Sequence, residues 1–206
     1  MTRSTRALVG YWDKQAPSYD TKMTGAERRL FPDSRQWVCS RARGETLEVG
    51  IGTGANLTHY PDDVALTGID WSPAMLDLAR RQAERLRRRV ALHQGDAAAL
   101  PFPAESFDTV VSTFALCCIP DERGALTEAL RVLRPGGRLI LADHIVASFW
   151  PLRAVQHVAD LVAVPLHGEH FTRRPLATVR ELSVTLKETE RRKMGAIEHV
   201  HARKPA

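Results

Sequence analysis

Three carboxylates and one glycine-rich turn carry most of the chemistry legible in this chain of 206 residues. The turn lies in "TLEVGIGTGANL", where Gly50, Gly52 and Gly54 follow a short apolar run. Glycine lets a backbone approach a ligand with no Cβ in the way and permits positive φ, so such a turn after a strand suits a nucleotide. Glu48 stands just before the turn, where a dinucleotide fold favours an apolar residue. A carboxylate there either positions the loop through hydrogen bonds or meets the cationic amino-acid portion of a ligand. Asp70 closes "VALTGID", where it can accept from both hydroxyls of a ribose. Asp96, in "QGDAAALPFPAESFD", follows a third apolar run. With the Ala97 amide it can recognise an adenine edge, while Trp71 and Met75 supply an apolar slot for the ring. Met75 is equally well placed as an ordinary core residue.

The turn alone leaves the ligand open. Gly50-x-Gly52-x-Gly54 suggests one cofactor, and Gly50-x-Gly52-x-x-Ala55 satisfies the dinucleotide fingerprint. NAD and S-adenosylmethionine both carry the ribose that Asp70 would hold. Glu48, the Asp96 segment and the lack of a recognisable hydride-transfer set weigh against an NAD(P)-linked oxidoreductase. A non-catalytic module that binds S-adenosylmethionine is a third reading. For proton removal from an acceptor, a histidine titrating near neutrality is suited, and His144 in "LADHI" is the first candidate. His157, His167 and His170 lie in the distal segment. Cys117 and Cys118 are adjacent, and neither Cys-x-x-Cys nor a helical His pair with an acid occurs, so no metal is expected. They read as small apolar side chains packed near a crevice.

These groups need a scaffold, and the pattern supplies one. Short apolar runs alternate with helical stretches: "TLEVG" precedes a helical start near Ala55, and "VALTGID" leads into "SPAMLDLARRQAERL" with Ser72 as N-cap and Pro73 at the first helical position. "FDTVVSTFAL" is a continuous apolar strand, and "DERGALTEALRVL" a helix stopped by Pro135-Gly136-Gly137 before the strand "RLILADHI". The alternation implies right-handed βαβ units and an open, mostly parallel α/β sheet. Gly50, Asp70, Asp96 and Thr113 fall at strand ends, where ligands of such sheets sit. Further on, Trp150–Leu166 and Pro175–Leu182 read as helices, and "LKETERRKMGAIEHVHARK" as a closing antiparallel hairpin around Gly195. Phe149, Trp150, Leu152, Val155, Leu161 and Val164 suggest either an apolar acceptor pocket or a core-facing stripe.

Composition narrows the class. With 44% hydrophobic and 26% charged residues the chain can bury one core. Much of the +5 charge lies in "RRQAERLRRR", a solvated helix face without interleaved aromatics, so nucleic acid is not expected as a partner. Three cysteines without regular spacing, no signal-peptide pattern and no apolar run of spanning length point to a cytoplasmic protein.

"LEVGIGTG", "GIDWSPAMLDLAR", "GDAAALPFPAESFDTVVSTFAL" and "RVLRPGGRLILAD", in this order, resemble the class I S-adenosylmethionine-dependent methyltransferases over roughly Tyr11–His144. The likeness is to the broad methyltransferase-domain group that includes ubiquinone and menaquinone biosynthesis enzymes and phospholipid N-methyltransferases. The resemblance implies a Rossmann-like, seven-stranded, mostly parallel sheet with helices on both faces and an antiparallel C-terminal strand. It implies one domain over 1–206: lid helices (1–44), cofactor-binding core (45–145), acceptor-side helices (146–183) and closing hairpin (184–206). It places Glu48, Gly50, Gly52 and Gly54 by the methionine portion of S-adenosylmethionine, Asp70 at the ribose, and Asp96, Ala97, Trp71 and Met75 at the adenine, with Asn56 also among the cofactor-binding residues. Thr113 and Phe114 would line the methionine and substrate side. "YWDKQAPSYD" resembles the family's N-terminal segment, which puts Tyr11 and Tyr19 in a lid with Tyr19 near the cofactor carboxylate. "FALCCIPD", "LADHI" and "GEHFTRRP" resemble a subgroup of small-molecule thiol methyltransferases, although Asp143 before His144 and a missing "GC" cysteine depart from it. The expected function is methyl transfer to a small, apolar or lipid-like acceptor, releasing S-adenosylhomocysteine. The chain would be a monomer or homodimer, with peripheral membrane contact allowed.

Overall fold

A computed structural model describes residues 5–30 and 33–206; residues 1–4 and 31–32 of the expected lid segment lie outside the described residues. The strands are β1 (Glu45–Val49), β2 (Ala65–Asp70), β3 (Val90–Gln94), β4 (Phe107–Thr113), β5 (Leu133–His144), β6 (Thr185–Arg192) and β7 (Ile197–Arg203). They form one seven-stranded sheet in the order β3-β2-β1-β4-β5-β7-β6. β1 to β5 run parallel, and β7 inserts antiparallel to both β5 and β6. The strand order reverses between β1 and β4, and a crevice must open there at the carboxyl ends.

The central strands are apolar throughout because both faces are covered. Neighbouring residues of β4 divide accordingly: Val110 packs with Leu126 of α4 (Glu122–Val132) and Val179 of α6 (Pro175–Glu181) in one core cluster. Val111 packs with Val38 of α2 (Ser34–Cys39) and Leu76 of α3 (Pro73–Arg85) in the other. α3 starts where its sequence signals a start. Ser72 Oγ accepts from the Met75 amide at 3.2 Å with Pro73 behind it, a cap worth about 1 kcal/mol.

Four details depart from expectation. The helical start after the glycine turn is only a 3-10 turn, Ala55–Thr58; Pro61 follows closely and disfavours helical backbone at Tyr60. α4 ends at Val132, ahead of Pro135, because the same constraint acts on Arg134, and β5 begins at Leu133 with a register shift against β4. β3 stops at Gln94, leaving Asp96 in the following turn.

The fourth departure is α5 (Trp150–His167), most of whose apolar stripe faces neither a pocket nor the core, while Leu152 and Val164 are half-buried. Trp150, Val155 and Leu161 are exposed, as is Phe149 before them. The polar side turns inward instead: Gln156 bonds the Ala147 amide and the Ile145 and Phe171 carbonyls, and Asp160 accepts from the Phe171 amide. No helix among the described residues is long and apolar enough to cross a membrane.

α1 (Thr5–Leu30) lies across the carboxyl end of the sheet and is fastened by two aspartates. Asp13 accepts from Ser72 Oγ at 2.6 Å, and Asp20 accepts from Thr53 Oγ1 at 2.7 Å.

Candidate functional site

A cleft opens at the strand ends under α1, where ligands of such sheets sit. Its floor is the glycine turn. The Gly50 and Ile51 amides both donate to the Ile69 carbonyl, which locks the turn to β2. Gly52 has φ +55°, and a Cβ built there would meet nothing within 4 Å. Its amide donates to Asp70 Oδ2 at 2.9 Å, while Asp70 Oδ1 accepts from the Ser72 amide at 3.0 Å. Burial pushes the Asp70 carboxyl above its ordinary range, and the Ser72, Gly52 and Trp71 amides oppose that rise. With these three amides the carboxylate still keeps acceptor capacity for a ligand.

Tyr19, Gly50, Gly52, Asp70, Trp71, Met75, Asp96 and Ala97 all come to the cleft wall. Asp96 is exposed, and its Oδ1 caps the turn by accepting from the Ala98 amide. Phe114 is on the wall too, held at φ +54° as its amide donates to the Ala142 carbonyl. A left-handed non-glycine residue costs roughly 1–2 kcal/mol, a strain that collects at functional sites.

The structure keeps Glu48, Asn56 and Thr113 off the wall. They form a buried network behind the loop: Asn56 Nδ2 donates to Glu48 Oε1 (2.7 Å) and Thr113 Oγ1 (3.0 Å), and Tyr60 OH donates to Glu48 Oε2 (2.9 Å). Arg35 closes it on Asn56 Oδ1 at 2.9 Å. Burial raises the Glu48 pKa to about 7, against the lowering effects of Tyr60, Arg35 and Asn56. Glu48 here holds the loop. Gly54 packs against Ala79 of α3 and Leu57, also away from the cleft.

Trp12 lines the cleft, and sequence reasoning passed over it. The signal was present: "WD" at 12–13 and "YD" at 19–20 repeat seven residues apart, two helical turns. Trp12 and Tyr19 meet edge to face at 6.1 Å on the cleft side, while Asp13 and Asp20 form the two fastenings. Tyr11 stacks on His167 at 5.1 Å, joining α1 to the end of α5.

His144 sits behind the wall. Its Nε2 lies 3.2 Å from Glu169 Oε1, its ring stacks on Phe171, and its buried Nδ1 has no hydrogen-bond partner. His144 is not among the side chains that line the cleft. Burial lowers the His144 pKa, but Glu169, Asp143 and Asp160 more than reverse it, so the net shift is upward. His157 is exposed, and the His170 amide donates to the Cys117 carbonyl.

Cys118 lines the cleft and Cys117 lies beneath it, their sulfurs 3.6 Å apart. The neighbouring Cys118 thiol and burial push Cys117 up. Cys118 is lowered by Cys117 but raised on balance by burial and the Glu169 and Asp143 charges. Both sulfurs stay thiols at neutral pH. Donor atoms of Cys117, Cys118 and Glu169 lie within 4.8 Å of one another, as do those of Cys117, Asp143 and His144. Local spacing cannot reveal that gathering, because it joins the ends of β4 and β5 to the segment after α5.

The charged side chains on the wall, Asp70 and Asp96, are both acids. Such a wall repels a pyrophosphate and suits a cationic nucleoside. The 3-10 turn after the glycines also replaces the long helix whose N-terminus would hold a pyrophosphate. The residues present therefore fit S-adenosylmethionine, with its sulfonium and ammonium charges.

Comparison with known proteins agrees. Residues 47–141 match the methyltransferase-domain family. The chain is 32% identical over 180 residues to the demethylmenaquinone methyltransferase of Renibacterium salmoninarum, covering 84% of this chain and 73% of that protein. It is 42% identical over 115 residues to the phosphatidylethanolamine N-methyltransferase of Cereibacter sphaeroides. That match covers 55% of this chain but only 57% of the relative's length. A solved S-adenosylmethionine-dependent methyltransferase of Thermotoga maritima superposes with a TM-score of 0.71 at 22% identity, over 94% of this chain and 98% of that one.

Proposed function

The chain belongs to the class I S-adenosylmethionine-dependent methyltransferases, and from that premise we propose that it methylates a small, apolar or lipid-like acceptor. The observation that carries the acceptor class is the cleft wall away from Asp70 and Asp96. Trp12, Tyr19, Phe114, Ala115, Cys118 and Ile119 face it there, a mostly apolar lining whose polar groups are the Trp12 indole N–H, the Tyr19 hydroxyl and the Cys118 thiol. The names of the two relatives, which act on a quinone precursor and an amino lipid, support the same class.

When bound, S-adenosylmethionine supplies a methyl group already activated on a sulfonium. What remains for the protein is alignment and exclusion of water. We assign Asp70 to the ribose hydroxyls, Asp96 with the Ala97 amide to the adenine edge, and Met75 and Trp71 to the ring faces. Gly50 and Gly52 give clearance at the methionine end, and Tyr19 covers it from α1. Glu48, Asn56 and Thr113 act through the loop they hold. α1 serves as the lid, with residues 146–183 backing the acceptor side from outside the cleft lining. His144 and Glu169 brace that side from behind, and no proton step is given to them.

A screen for S-adenosylhomocysteine release over thiols, phenols, quinol precursors and amino lipids tests the proposal. Turnover is expected with quinol- or lipid-like acceptors. Turnover confined to hydrophilic acceptors overturns the acceptor class, and calorimetry showing NAD binding without S-adenosylmethionine binding overturns the site.

A further inference from the structure

Most amphipathic helices bury their apolar side, but α5 does the reverse. Trp150, Val155, Val158, Leu161, Val162 and Leu166 are all exposed, Trp150 by 75% and Leu161 by 76%. At 100° per residue they fall within about 160° of the helix circumference, with Ala154 and Pro165 between them. Phe149 and Met194 extend the patch. Met194 belongs to the β6–β7 turn, whose carbonyl accepts from the Ser148 and Phe149 amides and so fixes the turn beside the start of α5. Apart from Leu86, every large apolar side chain exposed among the described residues belongs to this one surface. Contiguous apolar patches of this kind mark docking sites.

The rim identifies the occupant. Arg153 is exposed at the start of α5, held by the Ala147 and Ser148 carbonyls, and Lys193 is exposed beside Met194. The single acid of α5, Asp160, is turned inward onto Phe171 and Thr172. The outward face therefore carries cations and no carboxylate. A second copy packed through the same face brings no counter-charge, since a two-fold contact presents the same patch twice. An anionic bilayer supplies both the apolar depth and the negative headgroups.

We propose that α5 and the β6–β7 turn dock on the surface of an anionic lipid bilayer, with the valine and leucine side chains among the acyl chains, Trp150 at the boundary, and Arg153 and Lys193 at the headgroups. α5 leaves the carboxyl end of β5, the same end of the sheet as the cleft. The inference rests on the surface alone and stands whatever the acceptor is.

Flotation of the full chain with vesicles of phosphatidylcholine, with and without phosphatidylglycerol, tests it in the absence of any acceptor. The chain is expected to float with the anionic vesicles and to be released by salt. Val158→Glu with Leu161→Glu should weaken binding about tenfold or more and leave the melting curve in place, because both side chains are exposed. Trp150→Phe should remove a blue shift of tryptophan emission and retain flotation. Absence of flotation overturns the proposal, as does equal binding to pure phosphatidylcholine. A dimer that Leu161→Glu splits, without flotation, reassigns the face to contact between copies.

Discussion

Replacing Glu48 by Gln separates a carboxylate that touches the cofactor from one that holds the loop. Glu48 is 2% exposed, and its pKa is raised from the ordinary 4.5 to about 7, with burial the largest cause. Between those values the unfolded chain has released the proton and the native protein has kept it. Folding then binds a proton, and stability falls as pH rises. The contribution is fully present below 4.5, declines by about 1.4 kcal/mol per pH unit, and is lost once pH passes about 7. The loss totals about 3 kcal/mol over that window. Gln keeps the network, since its oxygen can accept from Asn56 and its amide can donate to the Tyr60 oxygen. In urea titrations from pH 5 to 8, the stability of Glu48→Gln relative to wild type should climb with pH and level off near 7. At pH 8 the variant should bind S-adenosylmethionine within about threefold of wild type, because the carboxylate lies behind the loop. A stability difference that does not change with pH refutes the buried-acid reasoning. A loss of affinity beyond about tenfold, or ~1.4 kcal/mol, puts Glu48 on the ligand instead.

Asp70→Ala should weaken S-adenosylmethionine binding by about 1–3 kcal/mol and also lower the melting temperature, since the Gly52 and Ser72 amides lose their acceptor. Calorimetry showing unchanged affinity removes Asp70 from the site. Asp13→Ala with Asp20→Ala cuts both fastenings of α1, at roughly 1 kcal/mol each. The pair should raise KM for the cofactor and expose α1 to limited proteolysis while the core melts nearly as before; an unchanged KM means α1 is not the lid. Glu169→Gln removes the chief partner that raises the His144 pKa. Because that contribution is present below the ordinary 6.5 and lost as pH rises through the raised value, wild type should exceed the variant most at pH 6 and the gap should shrink by pH 8.5. Urea titrations at the two pH values check this, and a constant gap breaks the proposed coupling.

The parallel sheet was legible because its central strands are apolar on both faces and each ends at a residue with little other reason to be there. Asp70 closes its strand, Gly50 and Asp96 lie just past theirs, and strand direction alone brings the three to one crevice. What strand period cannot supply is which face the ligand uses. Glu48 alternates with Leu47 and Val49, and its side of the sheet holds Tyr60 and Cys39 rather than the cleft. Thr113 and Phe114 differ by one position, and the left-handed turn at Phe114 puts the second on the wall and leaves the first bonded to Asn56. The fastening of α1 was half visible, as a seven-residue repeat whose partners, Ser72 and Thr53, only the fold brings near.

α5 shows a different limit. Helical period reveals that one side is apolar, but not whether that side faces in. The decision lies with groups distant in sequence. Gln156 and Asp160, one turn apart, satisfy the Ala147 and Phe171 amides and the Ile145 and Phe171 carbonyls. Rotating the helix to bury Val158 and Leu161 would leave those backbone groups unpaired, at roughly 1–3 kcal/mol apiece. That cost opposes the about 1.5–3 kcal/mol gained by burying each apolar side chain. The polar side faces inward in the isolated chain, and the apolar gain stays available to whatever surface meets α5 from outside.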